Sequence, residues 1–448
     1  LRGLPHVGGV AGRQQASAVR RTVAEVAAVL ERRERLFAEH QVDGIAGFRA
    51  LRREGRFPDE PHGDVFLVVD GWQTLRKEFE DVEDAVSDIA TRGLSFGVHV
   101  VGACSRPFDL RPGIRDLFGS RVELRLGDPL DSAVDRRSAA AVPEDAPGRG
   151  ITAQKHHLLV ALPRIDGEAD ADTVTAGLGA LVDAVSRAWT GAPAPRVRML
   201  PGVVSLSDLP AADDGLRFAV GIAEHDLGPV HLDFAADAHF LVLGDAESGK
   251  TAFLRTLARR IVDNRTPAQA RLLVVDHRRG LLGDVPDTHL LGYGTDAATT
   301  AHLLSEAARA MAGRLPGPDV TAAQLRARDW WTGPELFVLV DDYDLVATGL
   351  DNPLSVLLPY LPQGRDIGLH VVLTRRSGGA GRALFETFLA RLRDVGSPGL
   401  MLAGDKNEGP LLGGLKPEPL PPGRGRLVDR RRAPSLVQVA LPDRGSDQ

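Results

Sequence analysis

The sharpest chemistry in the chain lies in Gly244-Asp245-Ala246-Glu247-Ser248-Gly249-Lys250-Thr251, followed by Ala252, a full match to GxxxxGK[ST]. That order suits a phosphate chain. Glycines let backbone N–H groups turn inward and approach phosphate oxygens closely. A helix starting behind the loop adds the positive end of its dipole. Lys250 can then reach the β- and γ-phosphates, and the Thr251 hydroxyl can ligate Mg²⁺. The chain has 49 glycines in 448 residues and lysine only at Lys77, Lys155, Lys250, Lys406 and Lys416. At those frequencies about 0.005 accidental matches are expected.

Other residues could complete such a site. Leu336–Val340 is an apolar run ending in Asp341 and Asp342. A carboxylate at a strand end, downstream of a phosphate loop, is where Mg²⁺ is held through water. Asp342 is the candidate to orient an attacking water, the alternative being a turn-capping carboxylate. Asp is one methylene shorter than Glu, so activation there would be weak. Thr374, Arg375 and Arg376 close the strand that follows His370, and a polar group there could sense a γ-phosphate. Arg365, Arg375, Arg376, Arg92 and Arg106 are candidates for an arginine supplied to a neighbouring subunit; solvated loop arginines are the plainer reading. Asp276 ends a strand toward the edge of the nucleotide crevice. His99 and His370 read as hydrogen-bonded core residues, and Trp330 and Trp331 as packing residues.

These groups need a scaffold, and the sequence supplies one. Phe240–Leu243 reads as a strand entering the loop, and Thr251–Val262 as the amphipathic helix leaving it. Arg271–Val275, His289–Leu291, Leu336–Val340, His370–Thr374 and Gly399–Ala403 read as further strands. Helices over Ala297–Arg314, Thr321–Arg328, Pro353–Leu361 and Arg382–Asp394 alternate with them. Continuous apolar strands alternating with helices indicate a mainly parallel, doubly wound α/β sheet. Before this region the sequence predicts helices over Ala18–His40, Gly44–Arg56, Phe79–Arg92 and Ala171–Trp189. Strands are expected at Val65–Val69, Val98–Ala103, Val122–Leu126 and His157–Leu162. Gly191–Pro195 looks like a linker. Residues 1–195 and 196–448 are therefore expected as two domains, with shorter strands at Val197–Leu200, Arg217–Ile222 and Val230–Phe234. The last dozen residues are polar and expected to fray.

The two parts repeat each other. Val65–Asp70 (VFLVVD) matches Leu336–Asp341 (LFVLVD), and Gly97–Val101 (GVHVV) matches Gly368–Val372 (GLHVV), both 271 positions apart. Two strands at one offset, with similar loops following in order, point to a duplicated domain. Subtracting the offset from Lys250 gives a position before Leu1, so the first copy is expected to be N-terminally truncated, without its phosphate loop. Its counterpart of Asp341-Asp342 is Asp70-Gly71, and Gly71 cannot act as a base.

Bulk properties narrow the function. The formal net charge is −6, which gives no global drive toward nucleic acid. Cys104 is the sole cysteine, so there is neither a disulfide framework nor a cysteine-based zinc site. No apolar run approaches the length of a membrane span.

The segments HFLVLGDAESGKT, RLLVVDHRRGLLG, LFVLVDDYDL and GRDIGLHVVLTRR, with VFLVVDGWQTL in the first unit, resemble the FtsK/SpoIIIE branch of P-loop translocases. Within it they are similar to the EccC ATPases of type VII (ESX) secretion. The resemblance implies tandem RecA-like P-loop NTPase domains with mainly parallel sheets, the first incomplete. It implies ATP and Mg²⁺ as ligands of Lys250, Thr251 and Asp341, with Asp342 matching the family's nucleotide site. It also implies ring-like oligomers, membrane secretion-complex proteins as neighbours, and small helical WXG-type substrates bound through a C-terminal signal. The implied location is cytoplasmic, peripheral at the inner membrane. Two alternatives stay open: a double-stranded DNA translocase, against which the acidic charge argues, and a non-hydrolysing scaffold with ATP as a structural ligand.

Overall fold

The computed structural model describes residues 1–211, 215–348 and 351–443. It divides into two compact units, Leu1–Met199 and Leu200–Gln448. The division falls just beyond the Pro-containing linker expected at 191–195.

In the first unit the helix Ala16–His40 buries Val23, Val26, Leu30 and Phe37, the positions its helical spacing marks. β1 (Val65–Asp70) and β2 (Val98–Ala103) pair in parallel, with Val65 opposite Val98. The helix expected over Phe79–Arg92 forms as Glu80–Arg92, and a further helix, Trp72–Glu78, precedes it, the two separated by Phe79 at φ −138°. β3 (Val122–Leu124), β4 (Arg149–Thr152) and β5 (His157–Leu159) make a small antiparallel sheet. The helix Val174–Ala188 follows. Val197–Leu200, expected as strand-like, is irregular.

The second unit is built on one ten-stranded sheet. Its strands are β6 (Arg217–Ala223), β7 (Pro229–Asp233), β8 (Phe240–Leu243), β9 (Ala270–Val275), β10 (Leu290–Gly294), β11 (Glu335–Val340), β12 (Leu369–Arg375), β13 (Gly399–Leu402), β14 (Arg424–Asp429) and β15 (Arg432–Val439). Their order is β10-β9-β11-β12-β8-β13-β14-β15-β6-β7. From β10 to β13 all pairings are parallel. From β13 to β7 they are antiparallel.

The parallel strands are apolar throughout because both faces are covered. Leu241, Leu273, Val338, Val371 and Met401 pack on one face with Leu304 and Met311 of the helix Ala297–Ala312 and Phe388 of Thr387–Asp394. Phe240, Val242, Val274, Phe337, Leu339 and Val372 point the other way, onto Phe253, Leu257 and Ile261 of the helix Lys250–Asn264. The expected fraying of the last dozen residues is corrected for 437–440, while 444–448 lie outside the described residues. Val437 and Val439 are buried in β15, where Val439 N–H bonds Gly423 O at 2.8 Å.

The repeat extends to pairing register. Val65 opposite Val98 corresponds to Leu336 opposite Leu369. Phe66 stacks on His99 at 4.7 Å, and Phe337 on His370 at 4.5 Å. An acidic residue faces each histidine: Asp64 lies 3.8 Å from His99, and Glu335 lies 3.1 Å from His370. The environments differ. Phe66 and Val68 are mostly exposed, whereas Phe337 and Leu339 are fully buried.

At the start of β8, His239 is buried, with Nδ1 accepting Val371 N–H at 3.0 Å and Nε2 lying 3.0 Å from Leu361 O. Burial pushes its pKa from 6.5 down to about 4. The folded state therefore binds fewer protons than the unfolded state across that window. The stability involved is fully present above the unfolded value and is lost as pH falls toward 4, by roughly 3 kcal/mol. In chemical denaturation the stability advantage of the parent over His239→Gln should shrink by about that amount between pH 7 and pH 4. A constant difference would refute the account.

Candidate nucleotide site

β8 ends at Leu243, and the chain turns through Gly244–Gly249 into the helix Lys250–Asn264. Gly244 N–H bonds Arg375 O at 3.1 Å and Asp245 N–H bonds Ala403 O at 2.8 Å, so the loop hangs between β12 and β13. Gly249, at φ 110°, needs the freedom of glycine, and a Cβ there would lie 3.0 Å from Gly423 N. No side chain caps this helix. Its first N–H groups are thus the kind of donors that an anion satisfies. Lys250 is almost buried, and its ammonium bonds Asp245 O at 2.9 Å.

β11 lies next to β12 and delivers Asp341 to the same end of the sheet. Asp341 is buried and accepts two short hydrogen bonds, from Thr251 Oγ1 and from Thr374 Oγ1, each 2.6 Å. Burial raises its pKa, the two hydroxyl bonds pull it back, and the nearby charges of Asp342 and Asp276 raise it further. This is a carboxylate whose charge is best stabilised by a cation beside it. Asp342 adopts a left-handed backbone at φ 48°, ψ 63°, an uncommon conformation for a residue with a side chain. Thr374 Oγ1 accepts its N–H at 2.9 Å. Its carboxylate lies 3.6 Å from Lys250 Nζ and 3.1 Å from Arg278 Nε. Gly71 in the first unit has the same handedness, at φ 78°, with no side chain to present.

The structure thus gathers Gly244–Thr251, Asp341, Asp342 and Thr374 in one place. The arginines fare differently. Arg375 is buried and braces its own loop, Nη1 donating to Arg376 O at 2.8 Å and to Gly378 O at 3.2 Å. Arg376 is exposed and pairs with Asp344 at 3.1 Å. Arg365 precedes β12 and lines a groove with Asp237, His239 and Ser397, at the end of the strands away from the phosphate loop. In the first unit Arg92 pairs with Glu34 and Asp88, and exposed Arg106 with Asp109. Asp276 organises a loop, accepting Arg278 N–H at 3.0 Å, Leu281 N–H at 2.8 Å and Tyr293 O–H at 2.6 Å. Trp330 and Trp331 are half-buried, their Nε1–H groups donating to Arg314 O and Asp366 O. Arg278 and the Ser377 hydroxyl, which donates to Asp245, are the site residues sequence reasoning missed. Only the HRRG segment after Asp276 hinted at Arg278.

A glycine-bounded loop, an uncapped helix and a buried strand-end carboxylate define a P-loop nucleotide-binding protein. The FtsK/SpoIIIE family model matches residues 1–166 and 217–324. An ESX secretion system protein EccC of Thermomonospora curvata is 50% identical over 98% of this chain and 33% of its own length. The ESX-1 protein EccCb1 of Mycolicibacterium smegmatis is 40% identical over 96% of this chain and 74% of its own. A solved structure of T. curvata EccC, ATPases 2 and 3 in complex with a signal sequence peptide, superposes with a TM-score of 0.93. It is 50% identical, over 99% of this chain and 80% of that one. The chain belongs to the FtsK/SpoIIIE family and, within it, to the EccC-type ATPases of ESX secretion. It spans about a third of the length of the first curated relatives it matches. Among the described residues no helix is long and apolar enough to cross a membrane.

Thr374→Val keeps the shape but leaves Asp341 Oδ1 and the Asp342 N–H without their hydroxyl partner. It should destabilise the second unit by about 2–4 kcal/mol in denaturant unfolding. A loss below about 0.5 kcal/mol would show that the Thr374 hydroxyl is not what holds the two aspartates.

Proposed function

We propose that the second unit binds ATP with Mg²⁺ at the β8 loop, and that the chain acts as the ATP-binding motor component of a type VII secretion system. The observation that carries the nucleotide site is the Thr251–Asp341–Thr374 chain of hydrogen bonds beside an uncapped helix start. The backbone of Gly244, Asp245, Ala246, Glu247, Ser248 and Gly249, with Lys250, Thr251 and Ala252, cradles the phosphates. Thr251 and Asp341 hold the metal, Asp341 through water. Bound Mg²⁺ neutralises charge on the β- and γ-phosphate oxygens. Lys250 steadies those oxygens, Thr374 fixes both aspartates, and Asp342 orients the water that would attack.

The same reading extends to partners. Residues 1–195 are the later part of an FtsK/EccC-type ATPase domain plus linker, and 196–448 a complete one. The Val65/Val98 and Leu336/Leu369 registers support this division. The T. curvata complex with a signal sequence peptide supports recognition of small helical WXG-type substrates by their C-terminal signal. The reading also takes in ring-like assembly with other ATPase domains, attachment to membrane secretion proteins, and a location in the cytoplasm at the inner membrane. Arg365 or Arg376 would be the arginine offered to a neighbour. A scaffold that binds ATP without turning it over is the second reading. It is favoured by the pairing of Asp342 with two cations, which opposes its use as a base.

Titration of the whole chain with a fluorescent ATP analogue in Mg²⁺ tests the site. Binding should be saturable, and Lys250→Ala should weaken it at least tenfold. Equal binding by parent and variant would remove the β8 loop from consideration. ATP turnover by the parent but not by the variant would decide between motor and scaffold.

A further inference from the structure

We infer that Arg278 reads the terminal phosphate of the bound nucleotide in cis, and that Asp342 holds it in place until that phosphate arrives. This rests on the nucleotide site proposed above. Two cations converge on one carboxylate: Lys250 Nζ at 3.6 Å from Oδ1 and Arg278 Nε at 3.1 Å from Oδ2. The three partners differ in freedom. Asp342 is fixed by its left-handed backbone and its N–H bond to Thr374. Lys250 is almost buried and tied to Asp245 O. The Arg278 side chain is 68% exposed and so the member able to move.

Its backbone, by contrast, is anchored. Asp276, 1% exposed, accepts the N–H groups of Arg278 and Leu281 and the Tyr293 hydroxyl. Arg255, from the helix behind the phosphate loop, donates to Gly280 O at 2.7 Å. The loop also lies directly against the metal side of the site. A Cβ added to Gly280 would lie 3.2 Å from Thr251 Cγ2 and 3.9 Å from Asp341 Oδ2. Arg278 is therefore a flexible guanidinium on a rigid platform beside the Thr251–Asp341 pair.

Exposed ion pairs are weak because water and side-chain entropy offset the Coulomb attraction. A guanidinium on phosphate makes stronger, often bidentate, charge-assisted bonds. A triphosphate therefore draws Arg278 off Asp342, whereas a diphosphate stops one phosphate short and leaves the pair in place. When Arg278 departs, Asp342 Oδ2 is left free to accept a bond from water. The site then reports nucleotide state through the position of one arginine, without help from a second chain.

The test compares equilibrium affinities of the whole chain for a non-hydrolysable ATP analogue and for ADP, in Mg²⁺ at fixed salt. Arg278→Ala should weaken the ATP analogue about tenfold and leave ADP unchanged, and Arg278→Lys should recover part of the loss. Equal effects on both nucleotides, or no effect on either, would overturn the role of Arg278 while leaving the site intact. A parent chain that binds neither nucleotide, or binds them as Lys250→Ala does, would overturn the site itself and this inference with it.

Discussion

One buried carboxylate holds the second unit's site together. Asp341 ties the first turn of the helix Lys250–Asn264 to β12 by accepting hydroxyls from both, while itself belonging to β11. Three elements that the sequence supplies far apart are thereby locked at one end of the sheet. The cost of burying the charge appears in its raised pKa. That cost is tolerable because each carboxylate oxygen accepts a hydroxyl group. Asp342 inherits its placement from the same knot, since the hydroxyl that donates to Asp341 also accepts the Asp342 N–H.

The duplicated strands show which features belong to the scaffold and which to chemistry. Register, the Phe–His stack and the acidic residue facing the histidine recur in both units. So does the left-handed turn after the strand-end aspartate, at Gly71 and at Asp342. Glycine adopts that backbone freely, whereas aspartate pays for it. Retaining a side chain there makes sense only where its carboxylate has work to do. The second unit has cations to meet it, at Lys250 and Arg278.

Much of this was legible in the chain. GDAESGKT carries its own spacing, and the strands buried on both faces are continuous apolar runs that end where the sheet ends. What escaped reading is instructive. β14 and β15 contain Arg424, Arg426, Arg432, Pro434 and Gln438, a composition with no strand pattern, and the last dozen residues of the chain read as a frayed tail. Arg426 is answered by Glu418, and Arg424 by Gln438 and by the carbonyls of Leu200 and Pro201. Arg278 escaped for a related reason. It lies on the loop after β9, and only the order β9-β11-β12-β8 brings that loop to Asp342. Of the arginines expected at the end of β12, Arg375 turns inward and Arg376 stays exposed, a difference that sequence position alone does not carry.

The hairpin that composition hid forms the back of the phosphate loop. Gly423 N–H bonds Ser248 O at 2.8 Å, and β15 in turn holds Gly423 through Val439. During synthesis the loop emerges from the ribosome long before its backing does. A nascent chain halted between the two would carry every residue of GDAESGKT yet lack the wall that shapes it. The shape of the phosphate loop thus depends on residues at the far end of the second unit as well as on its own glycines.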